Sequence, residues 1–129
     1  MPKLIPKSKK LRLCAGLTST EFACKCSTES CRSTIVSTRL IKSFEAFRKL
    51  VNVQLKVNSG FRCTLHNMLV GGKPCSRHLT GEAIDISLKT LDHLDKSEIE
   101  FALKNSGFYY IKFYKTFVHA DVRKTKEKV

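Results

Sequence analysis

Two separated stretches of the chain carry side chains suited to gripping a metal ion. SRHLTGEAID, residues 76–85, holds His78 and Asp85 with Gly81 between them. FVHAD, residues 117–121, holds His119 and Asp121. Zinc accepts imidazole nitrogen and carboxylate oxygen at about 2.0–2.2 Å, and a catalytic site uses three protein ligands and keeps one position for water. His78 and Asp85 would straddle a turn that enters a strand, with Gly81 giving the backbone freedom to bring them together. His119 would be the third ligand, from a neighbouring strand. In a regular strand Phe117, His119 and Asp121 point the same way, so Asp121 would lie beside whatever His119 holds. On spacing alone other readings stay open: a surface histidine at 78 and an ordinary hydrogen-bonded strand histidine at 119.

The elements that must position these residues can be read from hydrophobic periodicity. Residues 33–51 carry Val36, Leu40, Phe44, Phe47 and Val51 in steps of three and four, with Ile41 and Leu50 widening the stripe. That is one face of a core-facing helix. QLKVNSG reads as a short strand with Val53, Leu55 and Val57 inward. FRCTLHNMLVGGKPC reads as a loop, since Gly71, Gly72 and Pro74 forbid regular structure across its end. EAIDISL is the next strand, with Ile84, Ile86 and Leu88 on one face and Ala83, Asp85 and Ser87 on the other. DKSEIEFALKN, residues 95–105, is a second helix with capping-box spacing at Asp95 and Glu98. FYYIKFYKTFVHADVR is one or two strands, turning near Tyr114 to Thr116. Thr18, Ser19 or Thr20 caps a short turn into Glu21 and Phe22. The pattern is α+β, with helices segregated from a small, mostly antiparallel sheet.

At 129 residues the chain fits one domain. A chain of this size buries roughly two-thirds of its unfolded surface and can build a core without staples. We divide it into a flexible basic arm at 1–12, one domain at 13–124 and a basic tail at 125–129. The 24 Lys and Arg against 11 Asp and Glu give a net charge of +13. Such a field attracts polyanions: nucleic acid, anionic lipid or anionic cell-envelope polymers. No run of about 20 apolar residues is present to span a membrane. The short segment LRLCAGL after the first lysines is interrupted by Arg12 and reads as no secretion signal. The expectation is synthesis in the cytoplasm, with any action outside following release.

Six cysteines are present: Cys14, Cys24, Cys26, Cys31, Cys63 and Cys75. Free thiols are the default without secretion. CKCSTESC nevertheless offers Cys24, Cys26 and Cys31 to a second metal, with Cys63 or Cys14 as a fourth ligand. Its C-x-C-x4-C spacing is not among the stronger zinc patterns, so one catalytic zinc is the expectation.

The motif Ser76-x-His78-x-x-Gly81-x-Ala83-x-Asp85 resembles the signature of the zinc D-alanyl-D-alanine carboxypeptidase family, which includes L-alanyl-D-glutamate endopeptidases of phage lysis enzymes. Further motifs follow in the family's order. LTSTEFACKC resembles its lead-in, NSGFRC its Ser-Gly-Tyr-Arg strand end, HNMLVGG its Asn-x-x-Val-Gly-Gly loop, and FVHADVR its closing Val-His-x-Asp-x-Arg strand. The resemblance covers about residues 16–124. It implies a DD-carboxypeptidase/hedgehog-like α+β fold with helices packed on one side of the sheet. It implies zinc ligands at His78, Asp85 and His119, with Arg62 facing the substrate and Ser76 orienting the substrate peptide or a ligand.

One position departs from the family. Many members carry Glu or Asp three residues before the last histidine ligand, as general base; here that residue is Thr116. Asp121 is the nearest candidate for the base, and its alternative role is to orient His119 by accepting the other ring N–H. Glu82 is a weaker candidate, because strand alternation points it away from Asp85. The implied activity is hydrolysis of an amide bond in peptidoglycan stem peptides or cross-links, for phage-type lysis. The implied partners are peptidoglycan and anionic wall polymers, with a monomeric chain and no nucleic acid. Two other readings stand beside it: a zinc-binding domain without activity, supported by Thr116, and a small basic nucleic-acid-binding protein. The second is supported by the charge, by CKCSTESC and by the aromatics Phe108, Tyr109, Tyr110, Phe113 and Tyr114, which could stack bases.

Overall fold

The computed structural model describes residues 2–28 and 30–123. In chain order the strands are β1 (Pro2–Pro6), β2 (Arg12–Cys14), β3 (Leu17–Thr18), β4 (Ser33–Ser37), β5 (Val57–Ser59), β6 (Ala83–Ser87), β7 (Tyr110–Phe113) and β8 (Phe117–Asp121). The helices are α1 (Ser19–Phe22), α2 (Thr38–Val51), α3 (Thr64–Leu69) and α4 (Lys96–Asn105). A 3-10 turn spans Arg77–Thr80 and another Leu88–Leu91. The architecture is α+β, as the sequence predicts. Its main sheet has the order β5-β6-β8-β7 with every neighbouring pair antiparallel.

The register of β6 on β8 organises the molecule. Ile84 stands opposite Ala120 and Ile86 opposite Val118, while Asp85 stands opposite His119. Alternation therefore sorts the two strands into a greasy face and a chemical face. Ile84, Ile86, Val118 and Ala120 are buried in one cluster with Leu40, Phe44 and Phe47 of α2 and with Ile99 and Leu103 of α4. Phe44 and Phe47 are each 0% exposed. Burying a large side chain in this way is worth about 1.5–3 kcal/mol each. The other face is left to Asp85, His119 and Asp121.

Local chemistry fixes the helix ends. Asp95 caps α4 through a reciprocal box with Glu98. Thr18 does the same for α1 with Glu21. The α2 helix starts later than periodicity predicts. Ser33–Ser37 is strand β4, and Ser37 caps the helix by accepting the Leu40 N–H. The run Thr34-Ile35-Val36 is β-branched throughout, which stiffens χ1 and favours the strand.

Four further expectations change. The segment read as a flexible arm contains β1, paired residue for residue with β4 from Pro2↔Ser37 to Pro6↔Ser33. Ile5 is buried there, 5% exposed, which anchors an otherwise basic segment. Prolines at both ends suit an edge strand, which need not donate on its outer side. The segment 61–75, read as a loop, holds α3 before its glycines. The expected strand QLKVNSG shortens to Val57–Ser59, and Leu88 leaves the β6 alternation for a 3-10 turn. The hairpin turning after Phe113 is as predicted. The basic tail at 125–129 lies outside the described residues. No helix among the described residues is long and apolar enough to cross a membrane.

Candidate metal centre

Asp85 is the hub of the site. It projects from the middle of β6 and its side chain is 5% exposed. His119, directly across on β8, places Nδ1 3.1 Å from Asp85 Oδ1. His78 arrives from the 3-10 turn and places Nε2 3.2 Å from the same oxygen. Single ligand atoms of His78, Asp85 and His119 all fall within 4.8 Å of one another. The two rings meet edge to face with centroids 5.2 Å apart.

The turn that delivers His78 depends on its flanks. Ser76 Oγ accepts the His78 N–H at 3.2 Å and starts the turn. Gly81 closes it with φ of +72°, and a Cβ there would collide with the Ile35 carbonyl. Behind the ring, the Gly60 carbonyl lies 2.6 Å from His78 Nδ1. Gly60 itself is pressed against Phe22, leaving no room for a side chain.

The outer nitrogens decide what the inner ones can do. His78 Nδ1 faces a carbonyl, and His119 Nε2 faces the Asp121 carboxylate, with Oδ2 at 3.0 Å. Both partners only accept, so each outer nitrogen must donate. Neutral rings then aim two lone pairs at a carboxylate oxygen. Three acceptors converging on one point require a cation, or extra protons in its place. Imidazole, imidazole and carboxylate make the donor set of a catalytic zinc site. The tautomers are fixed by the outer hydrogen bonds, as in metal centres generally.

The charges follow. Burial would raise the Asp85 pKa, but the His119 and His78 rings outweigh it and hold the carboxyl down at about 2. Burial would lower the His119 pKa, but its bonds to Asp121 and Asp85 raise it. Asp121, 0% exposed, is held below the usual range against its burial by His119 and by Arg123. Arg123 grips both oxygens, Nε to Oδ1 at 2.8 Å and Nη2 to Oδ2 at 2.7 Å.

Arg62 borders the centre. Its Nη2 donates to Asp85 Oδ2 at 3.4 Å, Nη1 to Asn67 Oδ1 at 3.1 Å and Nε to Ser59 Oγ at 3.3 Å. The side chains of Arg62 and His119 are 16% and 15% exposed, against 2% for His78. The site therefore opens toward solvent on the Arg62–His119 side. Thr116 is exposed in the β7–β8 turn, and its carbonyl accepts the Leu88 N–H. Glu82 bonds with Thr80 and pairs with Arg77.

Several contributors escape a motif reading. The Gly60 carbonyl acts through its backbone, and no side-chain pattern announces it. Asn67, 3% exposed, ties Arg62 to the Lys73 carbonyl. Tyr110 lies edge-on to His119 at 5.9 Å and under the Arg123 guanidinium at 4.3 Å. The sequence singles out Tyr110 only as an aromatic that could stack bases; the structure places it opposite Asp121 on β7.

A two-histidine, one-carboxylate cluster on an antiparallel sheet is the donor set of a single-metal site. A family model described as Peptidase M15 matches residues 15–121. The chain belongs to this family of zinc metallopeptidases. A search of curated proteins found no match.

Proposed function

We propose that the protein is a zinc-dependent peptidase that hydrolyses an amide bond in peptidoglycan, in a stem peptide or a cross-link. The observation that carries this is the convergence of His78 Nε2, Asp85 and His119 Nδ1 with both outer ring nitrogens already committed. Zinc held by these three residues supplies Lewis acidity, which activates water and polarises a carbonyl.

The chain's own side chains supply the rest. Arg62, on the open side, binds a substrate carboxylate or stabilises the oxyanion developing at the scissile carbonyl. Ser76 holds the His78 turn, which supports the ligand-orienting role over direct substrate contact. Asp121 keeps the His119 N–H on Nε2. Its engagement with Arg123 and its burial support this positioning role over that of a general base. The charge of +13 favours approach to an anionic wall. The reading includes a lytic, phage-type role, with the chain made in the cytoplasm and acting on the wall after release as a monomer without nucleic acid.

A second reading has one observation in its favour. Thr116 stands where a carboxylate is expected and Asp121 is already bonded, which suits a zinc-binding domain without hydrolysis. Incubation of zinc-loaded protein with isolated sacculi separates the two. Released stem peptides that vanish in His78→Ala support the peptidase. Bound zinc without any released peptide supports the binding domain. Product masses identify the bond cut and whether the enzyme trims ends or cleaves internally.

A further inference from the structure

A second cluster of ligand-type side chains lies apart from the His78–Asp85–His119 centre. The sulfurs of Cys24, Cys26, Cys31 and Cys63 all fall within 4.8 Å of one another. Cys24 and Cys63 are 3.7 Å apart at Sγ, and Cys63 and Cys26 are 3.8 Å apart. With a zinc–sulfur bond of about 2.3 Å, the corners of a tetrahedral four-sulfur site stand about 3.8 Å apart. We propose that these four cysteines hold a structural Zn2+, and that this clip fixes the segment carrying Gly60 and Arg62 beside the catalytic centre.

The surroundings of the sulfurs match such a site. Four thiolates around one divalent ion carry two net negative charges, which need nearby donors. Lys7 supplies a cation: its Nζ lies 3.5 Å from Cys26 Sγ, 3.7 Å from Cys31 Sγ and 3.1 Å from the Cys26 carbonyl. It is half-buried in a segment whose other lysines face solvent. The Cys63 N–H points at Cys24 Sγ at 3.4 Å, and the His66 N–H at Cys63 Sγ at 3.5 Å. Zinc binding expels the thiol protons and leaves the thiolates to these donors. The remaining cysteines stand outside the group, with Cys75 exposed and Cys14 half-buried.

The consequence for the site follows from sequence neighbours. Cys63 directly follows Arg62. Upstream, the Phe61 N–H donates to the Phe22 carbonyl at 2.7 Å, and the Arg62 N–H to the His78 carbonyl at 3.1 Å. Residues 60–63 are thus laced to the α1 exit on one side and to the His78 turn on the other. A metal joining Cys63 to Cys24, Cys26 and Cys31 closes that lacing.

The test uses the full chain with His78 and His119 both changed to alanine, purified under reducing conditions and loaded with zinc or cobalt. We expect one zinc per chain to remain and four of the six thiols to be shielded from a thiol reagent until a strong chelator is added. Cobalt should give a thiolate-to-metal charge-transfer band and the intense visible bands of a tetrahedral sulfur site. If that variant does not fold, the same cobalt spectrum on the wild-type chain decides, because the histidine–aspartate centre has no sulfur. Six freely reactive thiols with no bound metal, disulfides under the same reducing conditions, or iron in place of zinc overturn the proposal. The positioning part rests on the proposed peptidase function. In Cys26→Ser it predicts loss of one zinc, retention of the other and a fall in kcat/KM. Loss of that zinc with unchanged kcat/KM overturns the positioning part and leaves the peptidase reading intact.

Discussion

Asp85 and His119 stand directly opposite one another on adjacent antiparallel strands, Oδ1 3.1 Å from Nδ1. Facing strand positions bring side chains within reach on one face, so the ladder itself builds two-thirds of the proposed ligand set. Asp85→Ala and His119→Ala should each lose the zinc of this centre while the helix-side core, on the other face, keeps the fold. In the wild-type chain zinc at a hundred times its Kd adds about 2.7 kcal/mol of stability. Calorimetry with and without zinc checks this. A variant that keeps the full zinc-dependent shift attributed to this centre contradicts the ligand assignment.

In the proposed function Asp121 acts through His119, whose Nε2 it faces at 3.0 Å. Asp121→Asn retains the shape of the side chain but can present an amide N–H to the ring and favour the wrong tautomer. Loss of such an outer partner typically lowers metal affinity 10–100-fold. Competition against a chromophoric chelator measures this, and affinity equal to wild type rejects the positioning role. If Asp121 were instead the base, zinc affinity would hold while turnover fell.

The sheet and the α4 helix were legible because their signals are local. Alternation in EAIDISL places Asp85 opposite the apolar side, and Asp95 and Glu98 mark a helix start by themselves. The register of β6 on β8 is a long-range fact, so sequence could place His119 near Asp85 only through chemistry and resemblance. The N-terminal arm was misread because its many charges hide a single anchor, Ile5, whose partner strand begins at Ser33. The same strand was absorbed into α2, since Val36 continues the helical stripe while the β-branched run around it decides otherwise. The thiol cluster was half-legible: CKCSTESC is contiguous, but Cys63 joins it from 37 residues beyond Cys26.

The site gives stability a pH dependence that differs with and without metal. His119 has a raised pKa, so in the metal-free chain its contribution is fully present below the ordinary value of 6.5 and is lost as pH rises through the raised one. Asp85, ordinarily 3.8 and held at about 2, contributes above its ordinary value and loses that contribution as pH falls between the two. Zinc requires the neutral His119 ring, so its affinity rises with pH. The difference in Tm between zinc-loaded and metal-free protein should therefore widen from about pH 5.5 to about pH 8. A constant difference across that range contradicts a histidine-ligated metal.

Arg62 is the residue whose role a kinetic split can assign. Three groups hold its guanidinium: Ser59, Asn67 and Asp85. Lysine keeps the charge but cannot reproduce that planar three-way grip, so Arg62→Lys should behave more like Arg62→Ala than like wild type. At saturating zinc the metal content should not change, because Arg62 is not one of the three ligands, although losing its hydrogen bond to Asp85 Oδ2 weakens zinc affinity. If the guanidinium stabilises the oxyanion, kcat should fall about 10²–10³-fold with KM nearly constant. If it binds a substrate carboxylate equally in ground and transition states, KM should rise while kcat holds. Steady-state kinetics on a defined stem peptide read both quantities. Wild-type values of both in Arg62→Ala would remove Arg62 from the mechanism.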